Sequence, residues 1–278
     1  MSRHGIQLKT PAQIAMMRRA GLVVAKGLAE MGAAAVAGAT LAEIDAVGRD
    51  VLAVHGATSN FLGYGAEWGY PPYPGVACIS VNEVVVHGIP DQRRLVAGDI
   101  VSIDFGAVID GWHGDAARTF MVGEVDDESR RLSEVTRNAL WDGIAAVASA
   151  KRVGDISHAI QRSVETSGLR VGIVREYTGH GIGTEMHQEP DVPNSGRPHR
   201  GARIVPGVCL AIEPILTLGS PENVELDDEW TVVTCDGSRA AHWENSVAVL
   251  ADGIFVLTEP DGGAAELAAR GVRIASLD

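Results

Sequence analysis

The stretch SIDFGAVIDGWHGDAARTF (residues 102–120) predicts a β-hairpin. Apolar residues recur along both arms, and the dipeptide Asp110-Gly111 between them is typical of a two-residue hairpin turn. With this dipeptide in the turn, Asp115 becomes the diagonal neighbour of Asp104 on the same face of the sheet. Diagonal neighbours lie roughly 7–8 Å apart at the backbone, so the two carboxylates can converge. Two such charges repel each other unless cations lie between them.

Two helices are predicted before the hairpin. Thr10 and Gln13 have the spacing of a capping box, and apolar residues follow at intervals of three and four. Thr40 and Glu43 repeat this capping pattern at the start of a second helix. Residues 56–75 are rich in Gly, Pro and Tyr, and we expect them to form a long loop.

The order of two helices followed by strands recurs in the second half of the chain. Helices are predicted at about residues 128–149 and 155–167. Further strand-like segments, bounded by Gly, Pro or Asp, are 170–178, 207–217, 229–235 and 242–250.

This recurrence indicates an internal duplication of about residues 10–125 and 126–260, after a short N-terminal segment, residues 1–9. No low-complexity linker separates the two halves, so a single domain over residues 1–278 is expected. The predicted fold class is α+β, with an antiparallel sheet and helices covering one of its faces.

The composition excludes several classes of protein. The chain has 23 basic and 36 acidic residues, and its net charge of -13 opposes binding to nucleic acid or to an anionic membrane surface. The first nine residues lack the apolar core of a signal peptide, and no stretch approaches the roughly 20 apolar residues of a membrane span. Three scattered cysteines argue against a disulfide framework or a cysteine zinc site. A cytoplasmic protein is expected.

Acidic and imidazole side chains are concentrated in six short apolar segments, around His87, Asp104, Asp115, His180 to His187, Glu213 and Glu244. Ionised groups in apolar surroundings need partners, and divalent cations would supply them. A candidate ligand set of one imidazole and four carboxylates consists of Asp104, Asp115, His180, Glu213 and Glu244. Such an oxygen-rich set suits Mn(II), Fe(II) or Co(II) and tolerates Zn(II).

The remaining histidines are interpreted as surface or structural residues. They are His4, His55, His113, His158, His199 and His242. Among them, His113 lies two residues from Asp115 and is considered for a supporting role behind the ligands.

Five motifs, in the same order along the chain, carry a resemblance to a known family. They are CISVNEVVVHGIP (78–90), SIDFGAVIDGWHGDAARTF (102–120), YTGHGIGTEMHQEP (177–190), AIEPIL (211–216) and HWENSVAV (242–249). Together they resemble the bacterial-type type I methionine aminopeptidases, metallopeptidases of family M24 with the pita-bread fold. The resemblance covers residues 10–258. It implies a catalytic domain whose antiparallel sheet has two pseudo-symmetric helix pairs on one face.

The resemblance also implies the activity. Such an enzyme removes the initiator methionine from nascent polypeptides with two divalent metal ions, of Co, Mn, Fe or Zn. N-termini of nascent chains are then the partners, a monomer is expected, and a transient association with the ribosome is left open. No nucleic-acid or membrane partner is expected.

Roles for individual residues follow from the same resemblance. The implied metal ligands are Asp104, Asp115, His180, Glu213 and Glu244, with Asp115 and Glu244 bridging the two ions. Glu213 is also the implied proton shuttle between a bridging water and the leaving amine.

Two further histidines are implied to contact substrate without binding metal. His187 would stabilise the developing oxyanion, and His87 would hydrogen-bond near the scissile nitrogen. The implied lining of the methionine pocket is Phe61, Tyr64, Tyr73, Cys78, Met186 and Trp230. A small insertion at residues 65–70 lies beside this pocket, and Val86 and Thr178 stand where many bacterial relatives carry cysteine.

Three alternative functions compete with this interpretation. A proline-specific pita-bread peptidase would carry an extra N-terminal domain, for which the roughly 90 residues before His87 leave no room. A metal-free pita-bread protein that serves as a binding module would lack ligands, whereas all five are present. A dinuclear phosphoesterase would need arginines beside the ligand motifs, where only Arg118 occurs.

Overall fold

The computed structural model describes residues 5–277, and in that range helix pairs and strands alternate as expected for an α+β protein. The helices are α1 (Pro11–Ala34), α2 (Leu41–His55), α3 (Asp127–Val147), α4 (Val153–Thr166) and α5 (Ala264–Ala269). The strands of the first half are β1 (Thr58–Ser59), β2 (Ala77–Val81), β3 (Val84–Val86), β4 (Ile100–Ile109) and β5 (Trp112–Met121). Those of the second half are β6 (Gly172–Ile173), β7 (Gly179–Gly181), β8 (Gln188–Val192), β9 (Cys209–Ile212), β10 (Ile215–Thr217), β11 (Asn223–Glu225), β12 (Val232–Thr234), β13 (Ala240–His242), β14 (Asn245–Leu250) and β15 (Gly253–Val256).

Both predicted capping boxes form. The Thr10 side chain accepts from the Gln13 backbone N–H, and the Gln13 side chain accepts from the Thr10 backbone N–H at 2.9 Å. Thr40 and Glu43 make the same reciprocal pair at α2. Each cap satisfies backbone donors that have no partner inside the helix and contributes about 1 kcal/mol. The predicted helix starts are therefore confirmed.

The predicted hairpin also forms. β4 and β5 pair antiparallel, with Ile109 opposite Trp112 and Asp104 opposite Ala117. The turn residues Asp110 and Gly111 have φ of 51° and 78°, as a type I′ turn requires. The diagonal relation of the two aspartates follows from this register, and that prediction is confirmed.

The strands form four hydrogen-bonded sheets, all of whose pairings are antiparallel. The hairpin belongs to a four-stranded sheet in which β1, β4 and β2 are adjacent and β5 pairs with β4. A five-stranded sheet in the second half has the order β15–β14–β9–β7–β8. Two three-stranded sheets have the orders β13–β10–β6 and β11–β12–β3. Of the strand predicted at residues 170–178, only Gly172–Ile173 pairs.

A backbone contact joins the two larger sheets beside the hairpin. The Glu244 N–H donates to the Ala117 carbonyl at 2.9 Å, and the Ala117 N–H returns a longer contact of 3.4 Å. Residue 244 lies between β13 and β14, so the second half of the chain is attached to β5 at this point.

Each helix pair packs against its own strands. α1 and α2 bury Met31 and Ile44 against Phe105 of β4, whose ring fits close to Gly27 of α1. A Cβ at Gly27 would lie 2.2 Å from that ring, so only glycine permits this approach. α3 and α4 form a second core with β9 and β14, and a smaller cluster around Met17 connects the two.

Two helix pairs over antiparallel strands agree with the predicted architecture. The internal duplication and the single-domain boundaries stay predictions. Residues 1–4 of the proposed N-terminal segment, His4 among them, lie outside the described residues. No helix in the described part of the chain is long and apolar enough to span a membrane.

Candidate active site

One cavity of about 580 Å³ is lined by every residue that was predicted to bind metal or to contact substrate. These residues are Phe61, Tyr64, Tyr73, Cys78, His87, Asp104, Asp115, His180, Met186, His187, Glu213, Trp230 and Glu244. They come from both halves of the chain, on strands of the two larger sheets and on connecting loops. The structure therefore brings them together in one site.

The polar floor of the cavity consists of Asp104, Asp115, His180, Glu213 and Glu244. These residues lie on paired strands or directly beside them. The two aspartates are in the hairpin, and His180 of β7 lies opposite Ala211 of β9. Ligand atoms of Asp115, His180 and Glu244 all lie within 4.8 Å of one another, close enough to share a metal ion.

The carboxylates of the floor are electrostatically unfavourable as they stand. Burial, and next to it the neighbouring carboxylates, raise the pKa of Asp104 and Glu244 well above their usual range. Burial raises the pKa of Asp115 to about 8, with Glu213 adding to the effect, and burial raises the pKa of Glu213 to about 8. The guanidinium of Arg118 is engaged with Glu259 and offers these groups no direct ion pair.

Three oxygens of the floor are buried without any hydrogen-bond partner: Asp104 Oδ1, Asp115 Oδ1 and Glu244 Oε1. A buried acceptor that lacks a partner costs about 1–3 kcal/mol, and more when it is charged. Divalent cations prefer oxygen ligands of this kind and would remove both the missing contacts and the repulsion. The residues therefore fit a metal centre.

The histidines of the cavity are kept neutral by burial. Burial lowers the pKa of His87 and His180 to about 4, and that of His187 to about 3. A neutral imidazole has one lone pair for a metal or a donor and one N–H to donate. His180 and His187 lie with ring centres 4.4 Å apart at nearly right angles.

His187 makes a short hydrogen bond across the cavity. Its Nδ1 lies 2.6 Å from the hydroxyl of Tyr64, which belongs to the first half of the chain. Burial raises the pKa of Tyr64 to about 12, so this hydroxyl keeps its proton. When the hydroxyl donates to Nδ1, the ring proton of His187 is on Nε2.

The aromatic wall of the cavity consists of Tyr64, Tyr73 and Trp230 with the loop of residues 60–73. It lies beside the floor. Tyr73 and Trp230 meet edge to face at 5.3 Å, and the Trp230 indole N–H donates to the Pro71 carbonyl at 2.8 Å. Gly65 has φ of +86°, and a Cβ there would lie 2.7 Å from the Trp230 ring. The predicted insertion thus forms a short 3₁₀ turn, Ala66–Trp68, that packs behind the wall.

The apolar part of the cavity is closed by Phe61, Cys78 and Met186, which cluster with Tyr73. Tyr73 donates its hydroxyl to the Gly88 carbonyl at 2.8 Å, next to His87. An unbranched apolar side chain has space between these groups and lies directly beside the floor.

His242 was interpreted from the sequence as a surface or structural residue, and the structure contradicts the first of these two readings. Its side chain is buried, lines the cavity, and has Nε2 3.5 Å from Glu213 Oε2 and 4.0 Å from Glu244 Oε2. A signal was present in the sequence, since residues two apart in an extended chain face the same side, and His242 precedes Glu244 by two. His113 bonds Asn60 at 3.0 Å and does not line the cavity.

The cavity is also lined by residues for which no role was predicted from the sequence. They are Val86, Glu176, Tyr177, Thr178, Gln188, Glu189 and Asp191. All seven lie within or directly beside the quoted motifs, but those motifs do not show which of their side chains face the cavity.

Comparisons with known proteins agree with this geometry. The model of metallopeptidase family M24 matches residues 15–251. The methionine aminopeptidase 1 of Mycobacterium tuberculosis is 48% identical over 261 residues, which cover 92% of this chain and 96% of that protein.

Solved structures give the same result. A methionine aminopeptidase from Thermotoga maritima superposes with a TM-score of 0.87 at 40% identity and covers 92% of this chain and 100% of its own. The prolidase of Pyrococcus furiosus has a TM-score of 0.70 at 19% identity, over 91% of this chain and 65% of its own, and so shares the fold alone. The identities over nearly whole chains favour the first group over the proline-specific one. This chain belongs to metallopeptidase family M24, on its methionine aminopeptidase branch.

Proposed function

We propose that the chain removes the N-terminal methionine of polypeptides by metal-assisted hydrolysis of the first peptide bond. The observation that carries this function is the juxtaposition of the polar floor and the aromatic wall in one cavity. Buried carboxylate oxygens without partners lie beside an apolar space that suits a thioether side chain. The family and its named relatives support the same activity.

Two divalent cations are proposed for the floor. Asp104, Asp115, His180, Glu213 and Glu244 would hold them through their carboxylate oxygens and the His180 imidazole. When bound, such a pair supplies a water acidic enough to attack a carbonyl at neutral pH. One imidazole among four carboxylates favours Mn(II), Fe(II) or Co(II) and tolerates Zn(II).

The side chains around the floor have separate roles in this proposal. Glu213 accepts a proton from the attacking water and returns it to the leaving amine. His187 donates its Nε2–H to the carbonyl oxygen as negative charge develops there. This role needs the tautomer that Tyr64 imposes when its hydroxyl donates to Nδ1. His87 hydrogen-bonds near the scissile nitrogen.

His87 is held for this purpose by an unusual backbone. Its φ of 60° lies in the left-handed region, which costs roughly 1–2 kcal/mol for a residue with a Cβ. The following Gly88 passes so close to β2 that a Cβ would lie 2.4 Å from the Ile79 carbonyl oxygen. Strain of this kind is characteristic of functional positions.

The substrate is selected by the aromatic wall and its neighbours. The methionine side chain is proposed to lie among Phe61, Tyr64, Tyr73, Cys78, Met186 and Trp230. N-termini of nascent chains are the proposed substrates, with a small residue after the methionine. A monomer in the cytoplasm is proposed as the working form, and association with the ribosome stays an open prediction.

The test uses protein stripped of metal and then supplied with Mn(II) or Co(II). Release of methionine from Met-Ala-Ser should require the added metal, while Gly-Pro peptides should stay intact. Cleavage only before proline would contradict the proposal and indicate a proline-specific peptidase. Tight metal binding without any cleavage would contradict it in favour of a binding protein.

A further inference from the structure

His242 has a side chain that the proposed mechanism leaves unused. It is 2% exposed, and its Nε2 is buried without a hydrogen-bond partner. A buried ring nitrogen without a partner is unfavourable, so its retention beside a charged site indicates a partner in the working state.

The backbone N–H and the backbone carbonyl of His242 are both hydrogen-bonded. Its N–H donates to Thr119 Oγ1 at 3.0 Å and to Ser102 Oγ at 3.2 Å, and its carbonyl accepts from the Thr119 hydroxyl at 2.9 Å. The two hydroxyls also bond each other at 2.8 Å. These contacts fix the backbone of the strand, from which the buried ring projects into the cavity.

The carboxylate of Glu213 lies between two imidazoles. Its Oε1 is 3.6 Å from His180 Nε2, and its Oε2 is 3.5 Å from His242 Nε2. Oε1 lies beside His180, which is proposed to hold metal together with Glu213. Oε2 lies on the side of His242 and would be available to a donor from that ring.

The nitrogen that faces Glu213 is favoured as a donor. Carboxyl oxygens of Glu213 and Glu244 lie on one side of it, and once both groups are ionised, as metal binding requires, they offer lone pairs only. A ring lone pair in that position would meet other lone pairs, whereas an N–H meets acceptors. The separation of 3.5 Å exceeds a good hydrogen bond, and such contacts often shorten when a site is loaded.

We infer that His242 is a positioning residue of the metal centre, whose Nε2–H donates to Glu213 Oε2 and holds that carboxylate in its working orientation. The inference rests on the proposed function, because it takes Glu213 as both ligand and proton shuttle. Donors behind metal ligands typically change metal affinity or activity by about 10–100-fold when removed.

The experiment compares His242→Leu, which fills the space without a donor, with His242→Gln, which keeps an N–H donor. Mn(II) affinity of the whole protein is measured by titration calorimetry. We expect a loss of about 10-fold or more for His242→Leu and recovery of most of it by His242→Gln. The kcat for Met-Ala-Ser should fall in His242→Leu with little change in KM. His55→Gln, at an exposed histidine, controls for the loss of an unrelated imidazole.

Equal Mn(II) affinity in the leucine variant and the unaltered protein would overturn the inference. Equal losses in both variants, with a changed Co(II) absorption spectrum, would also overturn it, because His242 would then be a metal ligand itself. Should the leucine variant fail to fold, nitrogen-15 spectra of the unaltered Zn(II)-loaded protein decide instead. They should show a protonated Nε2 absent from His242→Gln, and an unprotonated one contradicts the inference.

Failure of the proposed function would appear differently. The unaltered protein would then bind Mn(II) without releasing methionine, while the affinity difference between the two variants would still report on His242.

Discussion

The polar floor and the aromatic wall share one cavity but are built by different means. The floor is attached to paired strands from both halves, so backbone register determines where its side chains lie. The wall is a loop with Trp230 against it, held by ring contacts and a few hydrogen bonds to backbone carbonyls. The proposed chemistry therefore depends on paired strands, whereas the proposed selection of the substrate side chain depends on a loop, the kind of segment that tolerates changes in length.

The two regions also differ in their effect on stability. The wall buries apolar rings and stabilises the folded state. The floor gathers like charges whose oxygens have no partners, and this destabilises the metal-free protein. A bound cation would make the contribution of the floor to stability favourable and would leave the contribution of the wall unchanged. Changes in the floor should thus separate activity from stability, and changes in the wall should move them together.

The largest effect is expected for Asp115→Asn, which breaks the floor. Loss of a carboxylate shared by both proposed cations should lower kcat/KM by about 10³-fold, equivalent to several kcal/mol. Removal of one of four crowded acidic groups should also raise the unfolding temperature of the metal-free protein at pH 8. Asp110→Asn, in the exposed hairpin turn, is the control and should change neither quantity. A metal-free variant less stable than the parent would contradict this account of the floor.

The second prediction concerns pH and the metal-free protein. The carboxylates of Asp115 and Glu213 have pKa values of about 8 in the folded protein and roughly 4 when unfolded. The folded state therefore binds more protons between pH 4 and 8, and its stability falls as pH rises through that window. The difference in unfolding temperature between the protein saturated with Mn(II) and the metal-free protein should widen from pH 5.5 to 8. A difference in unfolding temperature that does not change with pH would mean that the pKa values of these carboxyl groups are not raised in the folded, metal-free protein.

A smaller effect is expected where the wall contacts His187, the proposed oxyanion donor. Tyr64→Phe keeps the ring of the pocket but removes the hydrogen bond to His187, so kcat should fall by about 5–10-fold with KM nearly unchanged. Tyr70→Phe, which removes a hydroxyl from the outer side of the same loop, serves as the matched control. A change in KM alone would mean that Tyr64 contributes to substrate binding only and that its hydrogen bond to His187 does not assist the chemistry.

The smallest effect is expected for Gly65→Ala. A methyl group at φ +86° and 2.7 Å from the Trp230 ring must displace that ring, at a cost of about 1 kcal/mol. The KM for methionine peptides should rise a few-fold and kcat should hold, in contrast to Asp115→Asn. Gly63→Ala, where φ is +83° and no atom lies within 4 Å of the added methyl, isolates the backbone strain from the contact with the ring. A loss of kcat without a change in KM would contradict the assignment of substrate binding to the wall and of the chemistry to the floor.

The sequence predicted the floor far better than its surroundings. A two-residue turn and strict alternation determine which residues of the hairpin share a face, so the pairing of Asp104 and Asp115 followed from local pattern alone. The candidate ligands on β7 and beside β9 and β14 were selected by residue type and by the resemblance, because contacts between distant segments leave no local pattern that would place them together. The helix starts were predictable because caps are local.

The location of His242 was not predicted from the local sequence pattern. Its spacing of two from Glu244 indicated that both side chains face the same side, but three residues of strand are too short for this pattern to identify a buried histidine. The packing of Gly65 against Trp230 was equally hidden, since it depends on a loop whose path is set by contacts with residues more than 150 positions away.

The backbone contact between Ala117 and Glu244 has a consequence for biosynthesis. The two residues are 127 positions apart. During synthesis the first half can fold its hairpin with both aspartates in register before the three proposed ligands of the second half have been made. The metal centre proposed for the floor is therefore complete only after residue 244 has been synthesised and has paired with β5.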